Sequence, residues 1–168
     1  MSKIKQKAFL DLYEPIKLNL WRYCKFLCRN KQDAEDLLGE TVVSVYNSFD
    51  NIINSKAFLS YLFTIANRTY YKNYNKSLII EELNIDVLEI DSGEMLPDTI
   101  TDIKILVQNL NLLTVEQKEA IILKEIEGFS IKEVSIIQNV SDETVKSRIY
   151  RGKLKLKEIM EVNYGGKV

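Results

Sequence analysis

A chain of 168 residues, 46% hydrophobic and 28% charged with a formal net charge of −1, buries one moderate core or two small ones and fits neither a disordered tail nor a fibrous repeat. Its apolar runs are short and interrupted, and the N-terminal stretch MSKIKQKAFLDLYEP meets acids too early for a signal peptide, which predicts a cytoplasmic protein with no membrane insertion. Histidine is absent and the two cysteines, Cys24 and Cys28, lie one helical turn apart, so the expectation is two reduced packing thiols, no metal and no cofactor.

Glycine and proline are scarce, apolar residues recur at spacings of three and four, and nothing alternates with period two, so the fold class is all-α. After Asn30, the residues Ala34, Leu37, Leu38, Thr41, Val42 and Val45 make one apolar stripe and predict a helix over 31–48. The opposite face carries Asp36, Gly39, Glu40, Val43 and Asn47. An outward valine beside a glycine, flanked by acids, suits close docking of a partner's helix; a solvated face with one stray valine is the other reading. A metal-dependent nuclease built on Asp33, Asp36 and Glu40 would need a convergent acid, a histidine or a phosphate loop that the chain does not offer.

A second amphipathic helix is predicted over 55–76, with Phe58, Leu62, Ile65, Ala66 and Thr69 inward. Phe63, Asn67, Tyr70, Tyr71 and Tyr74 fall on the far half or its margin, and Arg68, Lys72 and Asn75 line one flank. Aromatic rings stack on unpaired bases for about 1 to 3 kcal/mol each while neighbouring cations hold phosphates, so the set has the composition of a single-strand platform. Composition alone slightly favours the plainer reading, in which the same tyrosines cover a protein interface or pack on a neighbouring helix.

From Ser77 to Asp102 the chain carries eight acids and no base, leaving 16 acids against all 23 bases elsewhere. With SerGly at 92 and 93 and a helix-breaking Pro97, residues 77–102 read as a flexible acidic linker between two small helical domains, 1–76 and 103–168. Its expected use is as a spacer, or as a competitor for polyanions at a basic surface.

In the C-terminal half, Thr114 is placed to cap a helix that ends near Gly128, and Ser130 to cap a short one over 131–137. Gln138, Asn139, Val140 and Ser141 follow, with Asn139 suited to the left-handed conformation and Ser141 to capping the next helix. Helix, tight turn and longer helix make a helix-turn-helix. The last helix sets Val145, Ile149, Gly152, Leu156 and Met160 on its core side. Thr144, Ser147, Tyr150, Arg151 and Lys157 lie opposite, with Lys146 and Lys153 on one shoulder and Arg148 and Lys155 on the other, which fits a DNA major groove.

The whole chain resembles the sigma-70 family of bacterial transcription initiation factors, in its small two-domain extracytoplasmic-function group. AEDLLGETVVSVY (34–46) is similar to the family's polymerase-binding helix, AFLSYLFTIANRTYYKNYNK (57–76) to its −10 helix, and LTVEQKEAIILKEIEGFSIKEVSIIQNVSDETVKSRIYRGKLKL (113–156) to its −35 domain. The resemblance implies that Asp36, Gly39, Glu40, Val43 and Asn47 meet the clamp helices of the largest polymerase subunit. It places Ser130, Lys132, Thr144, Lys146, Ser147, Tyr150 and Arg151 at the −35 groove. It places Asn51, Asn54, Lys56, Tyr61, Asn67, Arg68, Tyr71 and Lys72 at the −10 strand, where the loop from Ser48 to Ala57 captures a flipped base. Three departures stand out: Asn67-Arg68 exchanges the family's polar order, Lys72 stands where an acid or amide is usual, and Gln138-Asn139 replaces Leu-Gly, which predicts a looser turn.

The expected function is a non-enzymatic sigma factor that binds core RNA polymerase and promoter DNA, with an anti-sigma factor as a further partner of some family members. A helix-turn-helix regulator that is not a polymerase subunit is the alternative.

Overall fold

The computed structural model describes residues 2–49, 54–77 and 97–164, which form helices and short turns without a strand. The chain divides into two compact units, Met1–Leu88 and Glu89–Val168. Asn51 and most of the acidic stretch lie outside the described residues, and with them the expectations placed there.

In the first unit α1 spans Ser2–Tyr13 and passes through a single 3-10 turn, Glu14–Ile16, into α2, Lys17–Leu27. Next come α3, Lys31–Asn47, and α4, Ser55–Ser77, and α3 packs on both α2 and α4. Asn30 starts α3 by accepting the Asp33 amide at 2.8 Å on its side-chain oxygen, which satisfies one of the first-turn donors that have no partner within the helix. Ala34, Leu37, Thr41 and Val45 are buried as the stripe required. Cys24 and Cys28 are buried.

One ring on α1 ties that helix to the rest. Phe9 stacks on Tyr13 at 5.5 Å and meets Tyr46, Phe49 and Phe58 edge-on at 5.3, 5.5 and 5.7 Å. Edge-to-face pairs of this kind add about 0.5 to 1.5 kcal/mol each beyond their burial.

The expected outer face of α4 is corrected. Phe63 is fully buried with its ring 5.1 Å from that of Tyr23 on α2, and Asn67 and Tyr70 are buried too. The wheel allowed for one neighbour, whereas α4 is covered by Phe9 and Phe49 on one side and by Tyr23 on another.

In the second unit α5 spans Pro97–Leu110, α6 Val115–Ile121, α7 Ile131–Gln138 and α8 Asp142–Tyr164. Pro97 therefore opens a helix instead of breaking one, and the last residues assigned to the linker are helical. Proline is favourable at a first helical position, where its missing N–H would have had no partner and its fixed φ is already helical. Thr114 and Gln117 close a reciprocal capping box on α6, with bonds of 3.2 and 3.4 Å. A wide π-type turn, Ile122–Ile126, extends α6; Gly128, at φ 79°, then reverses the chain so that the Phe129 amide reaches the Leu123 carbonyl at 3.0 Å. Ile121, Ile122, Leu123, Phe129, Val134, Ile137, Val145 and Ile149 form the core.

Thr41 is fully buried and, among the described residues, its hydroxyl has no hydrogen-bond partner. Replacing it by the isosteric valine removes a polar group that folding desolvates without compensation. Thr41→Val should stabilise the first unit by about 1 kcal/mol, read as a thermal midpoint higher by about 4 to 8 °C.

Candidate DNA and polymerase interfaces

Local backbone chemistry fixes the entry to α8. Asn139 takes the left-handed conformation, φ 55° and ψ 49°, so that its amide returns to Ile136 at 3.2 Å and the Val140 amide to Ser135 at 3.0 Å. These two bonds complete a Schellman closure of α7. Ser141 then accepts the Thr144 amide at 3.1 Å and starts α8. The expectation of a looser turn is corrected. Besides this closure, Gln138 is buried and its side chain bonds to Glu119 at 2.9 Å, to the Glu116 carbonyl at 3.3 Å and to Arg148 at 3.2 Å.

Behind α8, Val145, Ile149 and Gly152 are buried and Leu156 half-buried, as the wheel required. Met160 is the exception, 52% exposed, because it lies two turns beyond Gly152, where α8 packs on α6. On the other side Tyr150 is 69% exposed, Lys146 and Arg151 are exposed, and Thr144 and Ser147 are half-exposed. Lys132 is exposed on α7, and Ser130 is exposed but engaged in its cap, accepting the Glu133 amide at 3.1 Å. Lys153 bonds Glu125 at 2.7 Å, and Lys146 lies 3.7 Å from Glu143. The Lys153 hydrogen bond holds the Glu125 carboxyl below its ordinary range against a smaller opposing effect of burial.

On the first unit, Asp36, Gly39, Glu40, Val43 and Asn47 share the exposed face of α3, with Val43 59% exposed. A Cβ at Gly39 would meet nothing within 4 Å. Glu40 accepts a hydrogen bond from Asn73 of α4 at 3.2 Å, and Asp36 accepts one from Gln32 at 3.0 Å. Among the described residues no group of three His, Cys, Asp or Glu side chains is placed to hold a metal ion.

At the predicted −10 face, Asn54 is exposed and caps α4 by accepting the Ala57 amide at 2.8 Å, and Lys56 is exposed. Tyr61 is half-buried with its hydroxyl 2.8 Å from that of Ser48, an anchor that sequence reasoning missed because the two residues lie 13 apart. Arg68 and Lys72 are exposed and Tyr71 is half-buried. Asn67, 6% exposed, is removed from this face by the packing of α4. Tyr70 lies 5.7 Å from Tyr74 in a parallel stack and meets Tyr71 edge-on, so part of the supposed platform is spent on internal packing. No described helix is long and apolar enough to cross a membrane.

A capped helix-turn-helix with a polar, cationic outer face defines a DNA-binding protein. Residues 12–77 match sigma-70 region 2 and residues 103–156 match sigma-70 region 4. The chain belongs to the sigma-70 family and is an RNA polymerase sigma factor, the subunit class that brings core polymerase to promoter DNA. It is 25% identical to the ECF RNA polymerase sigma factor SigX of Bacillus subtilis, over 94% of this chain and 86% of that one. The sigma factor RpoE of Bartonella quintana, solved with the anti-sigma factor NepR, is 25% identical with a TM-score of 0.69, covering 91% of this chain and 98% of that one. CnrH, solved with the cytosolic domain of CnrY, shares the fold at 20% identity and a TM-score of 0.70, covering 94% and 90%. The helix α1 begins outside the region 2 match, yet Phe9 seats it in that domain.

The Glu125–Lys153 contact carries a pH dependence. Because the folded carboxyl titrates below 4.5, its value when unpaired, the contact contributes stability at higher pH and loses it as pH falls through the depressed value. Glu125→Gln should therefore be slightly less stable than the native chain near neutral pH, with the difference vanishing as pH falls through the depressed value, as read from thermal midpoints across an acid pH series.

Proposed function

We propose that residues 1–76 bind core polymerase and open the −10 element, that residues 103–168 read the −35 element, and that residues 77–102 tether the two. The order of the two family regions along the chain supports this division. The outer face of α8 carries the −35 reading: Tyr150, Arg151 and Lys146 project from a helix whose entry is fixed by Asn139 and Ser141. Thr144, Ser147, Tyr150 and Arg151 address base edges, while Lys146, Lys132 and Ser130 meet phosphates. Asp36, Gly39, Glu40, Val43 and Asn47 receive the polymerase clamp helices, the exposed valine supplying the apolar centre and the acids the rim.

At −10, Lys56, Arg68 and Lys72 hold the backbone while Tyr61 and Tyr71 stack on the opened strand. Unstacking a base costs a few kcal/mol, and stacking with pocket contacts offsets it. The factor selects the site and does no chemistry, and it works in the cytoplasm, where polymerase is. RpoE and CnrH were solved with an anti-sigma factor and with a cytosolic domain, respectively. By that likeness this chain also takes an anti-sigma partner.

Transcription in vitro with core polymerase tests the division. Arg151→Ala should lower −35-dependent initiation by an amount equivalent to about 1 to 3 kcal/mol while core binding stays intact. Val43→Asp should do the reverse, abolishing retention of core polymerase on the immobilised factor. Native retention by Val43→Asp would remove the α3 face from the interface.

A further inference from the structure

We infer that Gln138 is a positioning residue for promoter binding: it aims the Arg148 guanidinium at the groove beside Arg151, where that guanidinium takes a DNA phosphate. The inference rests on the −35 reading of α8. Both ends of the Gln138 amide are used. Its Nε2 donates to the Glu119 carboxyl at 2.9 Å and to the Glu116 carbonyl at 3.3 Å, both on α6, and its Oε1 accepts from Arg148 Nη1 on α8 at 3.2 Å. Anchored on α6, the amide cannot swing, so its carbonyl fixes the direction of the guanidinium.

Charge accounts for why an amide serves here. A carboxylate in the same place would cancel the charge of Arg148, whereas a neutral carbonyl holds one of its N–H groups and leaves the cation whole. The guanidinium has five N–H donors in a rigid fork, so four remain. Arg148 makes no ion pair within 4 Å among the described residues. It is half-buried and lines a groove of about 500 Å³ with Thr114, Ser147 and Arg151, and with Glu116 and Glu143. With Thr144, three hydroxyls and two guanidiniums line the groove and offer donors to a phosphate diester, beside the two carboxylates.

The test uses the full chain assembled with core polymerase on promoter DNA, comparing Gln138→Met, Arg148→Ala and the double variant with the native factor across a salt series. Methionine keeps the length and helix preference of glutamine and deletes the amide. Gln138→Met and Arg148→Ala should each weaken binding by about fivefold to tenfold and lower the slope of log affinity against log salt by about 0.9, one phosphate's share, with the double variant no worse than Arg148→Ala. Losses that multiply in the double variant, or an unchanged slope beside a lower thermal midpoint, would overturn the inference and leave Gln138 a packing residue. Should Gln138→Met fail to fold, an unchanged slope for Arg148→Ala overturns it equally. Arg151→Ala separates the two levels: native binding by that variant brings down the −35 reading and this inference together. Weakened binding beside an unaltered Arg148→Ala removes only the inference.

Discussion

The distance at which α8 lies from α6 is the constraint on which the C-terminal domain depends. Gly152 marks it: a Cβ there would stand 2.6 Å from Ile121 Cδ1 and 3.4 Å from Gln117 Cβ, so a larger residue requires at least the Ile121 side chain to shift. A glycine inside a helix costs about 1 kcal/mol relative to alanine, which the close burial of Ile121, Val145 and Ile149 offsets. Once that contact fixes the rotation of α8, the direction of every other side chain follows from 100° per residue. Thr144, Ser147 and Arg151 fall along one outer row because Val145, Ile149 and Gly152 are held inward.

The first unit solves a different packing problem. α4 has neighbours on more than one side and is buried around much of its girth, whereas α3 keeps one face against α2 and α4 and leaves the other bare. The two helices thus differ in what they leave exposed. The tyrosine-rich one buries Phe63, Asn67 and Tyr70 as well as its expected inward residues, and the one with a glycine and an outward valine presents them to solvent. Phe9 extends the same core to α1.

What could be read from the residues alone follows the range of the interactions concerned. The helix-turn-helix was legible because its signals are local: Thr114, Ser130 and Ser141 each cap within three residues, and the left-handed turn at Asn139 is a property of its own backbone. The buried stripe of α3 and the inward face of α8 were legible for the same reason. Phe63, Asn67 and Tyr70 were misplaced because a helical wheel gives directions and not the number of neighbours, and the ring that buries Phe63 comes from Tyr23, 40 residues away in the chain. Pro97 was misjudged because proline stops a helix from within and starts one at its edge. Gln138 looked like a weak turn residue, since its partners Glu119 and Arg148 lie 19 and 10 positions away. The residue roles at the interfaces rest on the family likeness joined to exposure, and there the wheel of α8 and the likeness agree.

The carboxylates set beside the cations of this domain have an effect on the economy of the cell. A basic helix left wholly uncompensated would adhere to any duplex, since indiscriminate affinity rises with each phosphate neutralised, and a chromosome offers a vast excess of decoys. Glu125 and Glu143, each beside a lysine, offset part of that charge without occupying Tyr150 or Arg151. Fewer copies of the factor are then stranded on irrelevant sequence, and more of them are at liberty for the enzyme they serve.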